Sequence, residues 1–345
     1  MSARIERLRA SLDEPLLVTD PTNVYYLTGF RSSNAALLVE PDRLRLFSDF
    51  RYAASARGVE GIDFEETERA LMLGLARRLE GRVAFEAAAV SYAGYETLRA
   101  GGLELVPTTG AVEALRAVKD ERELAAIRSA CAITDRVYDR LAEERFIGRT
   151  ERDVAWTVVQ LFHDEGAEAI AFDVHVQSGP NGATPHAHTS DREIGAGETV
   201  VVDAGCTIDG YSSDYTRTFA TGPLDGELKE AYEVVAAAQQ AALGGIREGL
   251  TGVDADALAR VVVDGTRFAG TFGHGLGHGL GLLVHEAPRM STESQDVLAA
   301  GNVVTVEPGV YVPGAVGVRI EDLVAITPDG HEVLSGIPKA LRTVE

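Results

Sequence analysis

Two carboxylates interrupt a segment whose other residues are typical of a buried strand and its hairpin partner. In VVVDAGCTIDGYSSDYTRTF, residues 200–219, three valines lead into Asp203, and Asp214 follows the DGYSS turn. The turn predicts a hairpin whose return strand brings Asp214 opposite Asp203. Carboxylates that face a protein core lose their hydration, so this pair requires a strong compensating partner.

Later strands add two more carboxylates and a histidine. In GNVVTVEPGVYV, Glu307 ends a valine-rich strand that a Pro-Gly pair stops. In AVGVRIEDLVAI, alternation places Arg319 and Glu321 on one face of a strand. The glycine-rich segment GHGLGHGLG contributes His278. The chain therefore offers four carboxylates at strand positions and an imidazole as candidate metal ligands.

Four carboxylates held close together would repel one another and raise one another's pKa values. Divalent cations remove this conflict. Oxygen-rich ligation with a single imidazole suits manganese, cobalt or iron better than zinc, and the chain has no cysteine cluster for a structural zinc site. The residues therefore predict a pair of divalent metal ions bound between the strands.

Each of these residues, taken alone, also has a simpler explanation. Asp203 fits a turn or capping carboxylate, and Glu307 fits the end of a strand. Glu321 could pair with Arg319 instead of a metal. His278 could belong to a phosphate-binding loop, although neither a G-x-G-x-x-G motif after a strand nor a P-loop lysine is present. All of these simpler explanations would have to be true at the same time for the prediction of a metal site to be wrong.

The order of the motifs closely resembles that of the proline-specific peptidases of the pita-bread (methionine aminopeptidase-like) superfamily, prolidase and aminopeptidase P. The resemblance rests on VVVDAG…DYTRTF, GHGLGHGLGLLVHEAPR, TVEPGVY and GVRIED, and it covers residues 120–345. The segment NVYYLTGFRSSNAALLV, residues 23–39, resembles the N-terminal domain of the same group. This resemblance implies dinuclear metal-dependent hydrolysis of the bond before proline in dipeptides or short peptides.

The resemblance also implies a role for each ligand. The metal ligands would be Asp203, Asp214, His278, Glu307 and Glu321. Asp214 and Glu321 would bridge the two ions, for which manganese is favoured and cobalt is an alternative. The ions would acidify the attacking water and stabilise the oxyanion, with Glu307 as proton shuttle.

Further residues match positions that contact the substrate. His186 corresponds to the catalytic histidine, although its neighbour His188 is an alternative. His285 would contact the substrate carbonyl. Arg289 would bind the free carboxylate of a dipeptide, because a planar guanidinium takes a carboxylate in a two-pronged bond. A surface salt bridge is the alternative for Arg289.

Two more residues are predicted at the substrate pocket. His274 resembles a pocket residue rather than a ligand, and Arg319 is predicted to support Glu321 or another residue around the metals. The segment DGTRFAGTFGHG, residues 264–275, defines little of a proline pocket. The resemblance therefore predicts the reaction better than the substrate.

Several functions stay open on the sequence. Arg289 favours an Xaa-Pro dipeptidase, and an Xaa-Pro aminopeptidase is the alternative. The same fold hosts hydrolases of other C–N bonds, such as those of compatible solutes. It also serves as a non-catalytic binding module, but such modules usually lose ligands, and all five positions remain here.

The elements that must position these residues predict two α/β domains. Strands are predicted at 15–20, 35–40, 43–49 and 81–86, and helices at 68–79, 150–165, 226–247 and 253–264. From Asp120 an apolar stripe predicts a long helix that Asp120 caps. We therefore predict a smaller creatinase-like mixed-sheet domain at 1–117 and a pita-bread catalytic domain at 118–345.

Composition limits the partners. A net charge of −21, from 32 basic and 53 acidic residues, disfavours nucleic acid and anionic membranes. No run approaches the roughly 20 apolar residues of a membrane span, and the start MSARIERLRASLDE lacks a signal-peptide pattern, so we expect a cytoplasmic location. The acidic, lysine-poor composition predicts a halophilic protein of a salt-rich cytoplasm. We also expect reduced cysteines and a two-fold homodimer.

Overall fold

The computed structural model describes residues 3–185, 187–224 and 226–345. The chain divides into two compact units, with the boundary between Arg116 and Ala117. Both units combine helices with mixed or antiparallel sheets, which confirms the predicted α/β class. Among the described residues, no helix combines the length and hydropathy that crossing a membrane requires.

The first unit is built around one six-stranded mixed sheet. Its strands are β1 Leu16–Val18, β2 Ala35–Val39, β3 Leu44–Asp49, β4 Asp63–Thr67, β5 Arg82–Glu86 and β6 Glu104–Thr108. Its helices are α1 Ala3–Ala10, α2 Pro21–Thr28, α3 Ala53–Ala56, α4 Leu71–Ala76, α5 Tyr92–Ala100 and α6 Glu113–Ala117. The strand order is β4-β3-β2-β1-β5-β6. The four strands predicted from the sequence are β1, β2, β3 and β5, and the predicted helix at 68–79 is the shorter α4.

Four long helices cover the second unit. They are α7 Glu121–Leu141, α8 Glu151–Asp164, α9 Gly226–Gly245 and α10 Gly252–Asp264. Asp120 and Glu123 form a capping box at the start of α7, and Thr150 and Asp153 do the same for α8. These caps satisfy backbone N–H groups that have no partner inside the helix, which is why both helices begin where the sequence predicts.

The strands of the second unit form four sheets. They are β7 Ala169–Ile170, β8 His175–Ser178, β9 Thr199–Ala204, β10 Cys206–Ile208, β11 Tyr211–Ser212, β12 Tyr215–Ala220, β13 Gly277–Gly279, β14 Glu286–Met290, β15 Val303–Val306, β16 Gly309–Val312, β17 Val316–Arg319, β18 Asp322–Thr327, β19 Gly330–Val333 and β20 Arg342–Thr343. The strand orders are β11-β10-β7, β20-β12-β9-β8, β14-β13-β15-β18-β19 and β16-β17.

Two apolar clusters hold the helices on these strands. One joins α7 and α8 to β8, β9 and β12, and it includes Val200 and Val202. The other joins α9 and α10 to strands β15 to β18, and it includes Val304 and Val318. Because side chains alternate along a strand, the residues between these valines point to the face that the helices do not cover. Asp203 shares that face within β9, and Glu307 and Glu321 continue the same alternation just beyond the ends of β15 and β17.

Candidate metal centre

Asp203 and Asp214 lie on the same face of the β9–β12 pair. The register places Asp203 opposite Thr216, and Asp214 comes immediately before β12. The prediction that Asp214 lies opposite Asp203 is therefore wrong, because Asp214 lies two residues before the residue that pairs with Asp203. Asp214 is instead a diagonal neighbour of Asp203 and remains on the same face. The shift arises because the intervening residues form their own short pair, β10 and β11. A Cβ on Gly205 would lie 1.9 Å from the Ser213 carbonyl oxygen, so only glycine permits the two backbone segments to approach this closely.

Glu321 joins the two aspartates from the segment between β17 and β18. One carboxylate oxygen from each of Asp203, Asp214 and Glu321 lies within 4.8 Å of the others. The Glu321 backbone N–H donates to the Thr216 carbonyl at 3.1 Å. The Thr216 hydroxyl donates to Glu321 Oε2 at 2.7 Å. A residue of β12 thus fixes both the backbone and the carboxylate of Glu321.

His278 and Glu307 complete the cluster from β13 and the end of β15. His278 Nε2 lies 3.8 Å from Asp214 Oδ2 and 3.4 Å from Glu307 Oε1. The Thr305 hydroxyl oxygen accepts from the His278 N–H at 3.1 Å, and the hydroxyl donates to Glu307 Oε1 at 3.0 Å. His278 Nδ1 lies 3.1 Å from the Gly279 carbonyl. A proton on Nδ1 leaves the Nε2 lone pair directed at the carboxylates. The structure therefore brings together all five predicted ligands.

The electrostatics of the cluster favour bound cations. Burial raises the pKa of Asp214 well above its usual value, and repulsion from Glu321 and Asp203 raises it further. Burial and the neighbouring carboxylates Glu307 and Asp203 do the same to the pKa of Glu321. Burial also raises the pKa of Glu307 and lowers that of His278. The raised pKa values disfavour the ionised carboxylates that metal ligation needs, so divalent positive charge would stabilise the arrangement. The lowered pKa of His278 favours the neutral imidazole, which is the form that binds a metal.

Arg319 is engaged in protein contacts through all three guanidinium nitrogens. Nη2 lies 2.7 Å from Asp203 Oδ2, Nε donates to the Thr216 hydroxyl at 2.8 Å and Nη1 donates to the Tyr311 hydroxyl at 3.2 Å. Within the described residues Arg319 thus supports Glu321 through Thr216, and each of its guanidinium nitrogens already has a protein partner. The strand alternation used for the prediction gives the face of a side chain but not its partner across a sheet.

One oxygen of the cluster has no protein partner. Asp203 Oδ1 is buried and accepts no hydrogen bond from the described residues, whereas Oδ2 is held by Arg319. Buried carboxylate oxygens are normally satisfied. The orphaned oxygen beside three other carboxylates fits a metal ligand.

His274 borders the cluster, and Tyr311 is a site residue that the sequence reasoning missed. His274 Nε2 lies 2.9 Å from the Tyr311 hydroxyl, and its Nδ1 lies 4.0 Å from Glu307 Oε2. Arg260 donates to the His274 carbonyl at 2.7 Å and so holds the glycine-rich segment in place. The sequence carries only a weak signal for Tyr311, an aromatic residue shortly after the Pro-Gly pair.

His285 and Arg289 lie beside His278. The rings of His285 and His278 are 4.4 Å apart in an edge-to-face arrangement. Arg289 is the register partner of His278 across β13 and β14, and its side chain is exposed. No carboxylate of the described residues forms an ion pair with the Arg289 guanidinium. The alternative of a surface salt bridge is therefore not realised in the described structure.

The loop that carries the predicted catalytic histidine is fastened at both ends by Glu151. Its carboxylate accepts hydrogen bonds from Ser178 N–H at 2.7 Å and Ser190 N–H at 3.0 Å, and from both hydroxyls. His188 lies in this loop and is exposed. His186 lies outside the described residues, so the choice between the two histidines stays a prediction.

Gln177 makes a second attachment to the same loop. Its Nε2 donates to the Ala187 carbonyl at 2.6 Å. Glu151 is fully buried at the first position of α8, and Gln177 is buried on β8. Neither residue was predicted from the sequence, because a glutamate in the first turn of a helix and a glutamine in a strand are common without a function.

Two family models match the chain. "Metallopeptidase family M24" matches residues 125–328, and "Creatinase/Prolidase N-terminal domain" matches residues 4–118. These ranges together span most of both units.

Individual relatives match over nearly their whole length. The Xaa-Pro dipeptidase of Pyrococcus furiosus is 33% identical over 99% of this chain and 100% of its own. The solved Xaa-Pro dipeptidase from Bacillus anthracis is 34% identical, with a TM-score of 0.95 and 99% of both chains covered. The solved X-Pro aminopeptidase from Thermotoga maritima is 30% identical, with a TM-score of 0.91, and the match covers 99% of this chain and 100% of that one.

Proposed function

Since this chain belongs to metallopeptidase family M24, we propose that it is an Xaa-Pro dipeptidase that uses two divalent metal ions. The observation that carries the proposal is the convergence of Asp203, Asp214, His278, Glu307 and Glu321 in one buried cluster. The names of the Pyrococcus and Bacillus relatives support the substrate. A binding module without catalysis would have no need of this complete set.

The donor set fits two divalent cations. It offers four carboxylates and one imidazole, and the free Oδ1 of Asp203 supplies an oxygen that no described residue engages. Such oxygen-rich ligation favours manganese, with cobalt as the alternative. When bound, the ions supply Lewis-acid polarisation of the scissile carbonyl and lower the pKa of water.

The chain's own residues would hold the reacting groups around this centre. Glu307 is the proposed proton shuttle, and Thr305 holds its Oε1 while His274 lies beside its Oε2. His285 would contact the substrate carbonyl from its position against His278. His186, or His188 in the same loop, would donate a hydrogen bond to the substrate or the tetrahedral intermediate.

Arg289 is the proposed determinant of peptide length. Its exposed guanidinium lies opposite His278 and forms no ion pair with the described residues, so it is available to a substrate carboxylate. A dipeptide presents its carboxylate on the proline itself, whereas a longer peptide presents an uncharged amide there. A bidentate arginine–carboxylate contact would therefore favour the dipeptide. The likeness to the Thermotoga X-Pro aminopeptidase makes that activity the second candidate.

The assay would compare a dipeptide with a tripeptide. The chain is purified in multimolar salt, stripped with chelator and supplied with Mn²⁺ or Co²⁺, and release of proline from Met-Pro is measured beside cleavage of Xaa-Pro-Yaa. Metal-dependent cleavage of Met-Pro alone supports the proposal. Preferred cleavage of the tripeptide assigns the aminopeptidase activity, and cleavage of neither with two metals bound contradicts both.

An Arg289→Leu variant tests the carboxylate contact. We expect KM for Met-Pro to rise roughly tenfold to a hundredfold, since charge-assisted bonds contribute about 1.5–3 kcal/mol, with little change for a tripeptide. Arg247→Leu, at another exposed arginine, is the matched control. Equal losses on both peptides would contradict the proposed role of Arg289.

We further propose that the enzyme is a homodimer in a salt-rich cytoplasm. The net charge of −21 supports the salt requirement, because high ionic strength screens repulsion between acidic surface groups. Urea melts at low and multimolar NaCl test the requirement, and stability that does not rise with salt would contradict it. Light scattering at both salt concentrations tests the dimer.

A further inference from the structure

Strand β8 places two polar side chains on the face of the sheet that carries the metal ligands. His175 is the register partner of Asp203, and Gln177 is the register partner of Val201. Directly paired residues share a face of an antiparallel sheet, and so do residues two apart on one strand. His175 and Gln177 therefore lie beside Asp203, on the side away from Thr216.

Each of these side chains has a buried polar atom without a partner. His175 Nδ1 and Gln177 Oε1 are buried and form no hydrogen bond with the described residues. The amide orientation of Gln177 is fixed, because its Nε2 donates to the Ala187 carbonyl at 2.6 Å. Buried polar atoms are rarely left unpaired, and the cost is recovered when a ligand supplies the missing donor or acceptor.

The order of contacts places His175 and Arg289 at opposite ends of the ligand cluster. His175 flanks Asp203, Asp203 clusters with Asp214, and Asp214 lies 3.8 Å from His278. His278 in turn pairs in register with Arg289. If Arg289 binds the carboxylate of proline, as the proposed function states, the first residue of the dipeptide extends toward His175.

The His175 end offers both an apolar surface and hydrogen-bonding groups. The Phe172 ring is roughly parallel to the His175 ring, at an interplanar angle of 23° and a centroid distance of 6.5 Å. The aromatic surface can contact the stem of a side chain while His175 and Gln177 engage its polar end. An uncharged polar side chain can pair with His175 Nδ1 and Gln177 Oε1 without bringing a buried charge, so it is the best match.

We infer that His175 and Gln177 line the subsite for the first residue of the substrate, and that His175 selects uncharged hydrogen-bonding side chains such as Asn and Thr. This inference rests on the proposed dipeptidase function. A site whose buried polar groups are satisfied only by a polar ligand discriminates against an apolar ligand of the same shape.

Two pairs of near-isosteric dipeptides test the inference. The metal-loaded full chain is assayed on Asn-Pro against Leu-Pro and on Thr-Pro against Val-Pro. We expect kcat/KM to favour the polar member of each pair by about tenfold or more. In His175→Leu the preference should fall by a similar factor, and in His175→Asn, which keeps a hydrogen-bonding group, it should largely remain.

Controls separate this inference from the proposed function. His163→Leu changes a histidine whose side chain is 91% exposed on α8, and it should leave the ratios unchanged. Bound metal and thermal melts establish that the His175 variants are folded. Cleavage of all four dipeptides without a polar preference would overturn the inference alone. Cleavage of none would overturn the dipeptidase function together with the inference.

Discussion

Glu321 and Asp322 are adjacent in the chain and both are buried, yet their surroundings differ. Asp322 is paired with Arg217 and Lys339 at 2.7 and 2.9 Å, and it also accepts hydrogen bonds from Ser335 and Gln239. Burial alone would raise its pKa, but these two cations hold the pKa below the usual value. Glu321 lies among other carboxylates, which together with burial raise its pKa well above the usual value.

The difference separates a structural carboxylate from a candidate ligand. Consecutive strand residues point to opposite faces, so one residue step moves the side chain from a site with protein cations to a site without enough of them. Asp322 is neutralised by the protein itself. Among the described residues, Thr216 alone donates a hydrogen bond to the Glu321 carboxylate, which therefore needs positive charge from outside the chain. Buried acidic residues without sufficient protein cations thus distinguish the candidate metal centre.

The largest expected effect comes from removing a proposed ligand. Asp214→Ala should lower kcat/KM by roughly 10³-fold or more and abolish binding of at least one ion, because Asp214 is central in the cluster. Turnover and metal content are measured on the same samples. Asp191→Ala, whose side chain is 78% exposed, serves as the control. Retained turnover in Asp214→Ala would contradict the distinction between the cluster carboxylates and the structural carboxylate Asp322.

Replacing the structural carboxylate Asp322 should reduce stability but leave metal binding intact. Asp322→Ala leaves the Arg217 guanidinium buried without its carboxylate, and it should cost about 3–5 kcal/mol of unfolding free energy. Folded protein should still bind two metal ions. Urea melts combined with metal analysis measure both quantities. An apolar double replacement, Arg217→Met with Asp322→Leu, should recover much of the stability, and failure to do so would point to the backbone contacts of Arg217 instead.

Metal removal should destabilise the protein in a pH-dependent way. The raised pKa values of Asp214 and Glu321 mean that the metal-free fold binds more protons than the unfolded chain. Its stability is therefore highest below the usual carboxylate pKa and falls as pH rises through the raised values. Bound metal would cancel this loss. The difference in Tm between loaded and stripped protein should widen from pH 5 to pH 8, to roughly 5–10 °C.

Thermal melts at both pH values measure this difference. A gap that is constant with pH would show that the cluster carboxylates do not titrate in the stripped protein. A narrowing gap would contradict the electrostatic assignment of Glu321.

A smaller effect is expected at Glu151, a third buried carboxylate, which hydrogen-bond donors satisfy. Glu151→Gln replaces an acceptor by a donor beside the Ser178 and Ser190 N–H groups, which loosens the loop that carries His186. We expect kcat to fall roughly tenfold to a hundredfold, with metal content unchanged. Steady-state kinetics measure the effect. Glu121→Gln is the matched control, because Glu121 occupies the first position of α7 with a side chain that is 90% exposed.

Local patterns account for what was correctly predicted. An apolar stripe and the capping residue Asp120 gave the start of α7. Valine-rich runs gave β9 and β15. By contrast β4, with the polar sequence DFEET, and β6, which contains a proline, lie at the two edges of their sheet. Edge strands are not buried on both sides, so they lack the apolar run by which a strand is recognised.

The sequence by itself determined the five candidate ligands, because each lies in a short motif whose residue types carry the signal. The tertiary structure decided their partners. The offset of Asp214 from Asp203, the contact of Arg319 with Asp203 and the position of His175 all depend on the register between β8, β9 and β12. Register arises from pairing between distant segments and from close approaches such as that at Gly205, which no local pattern encodes.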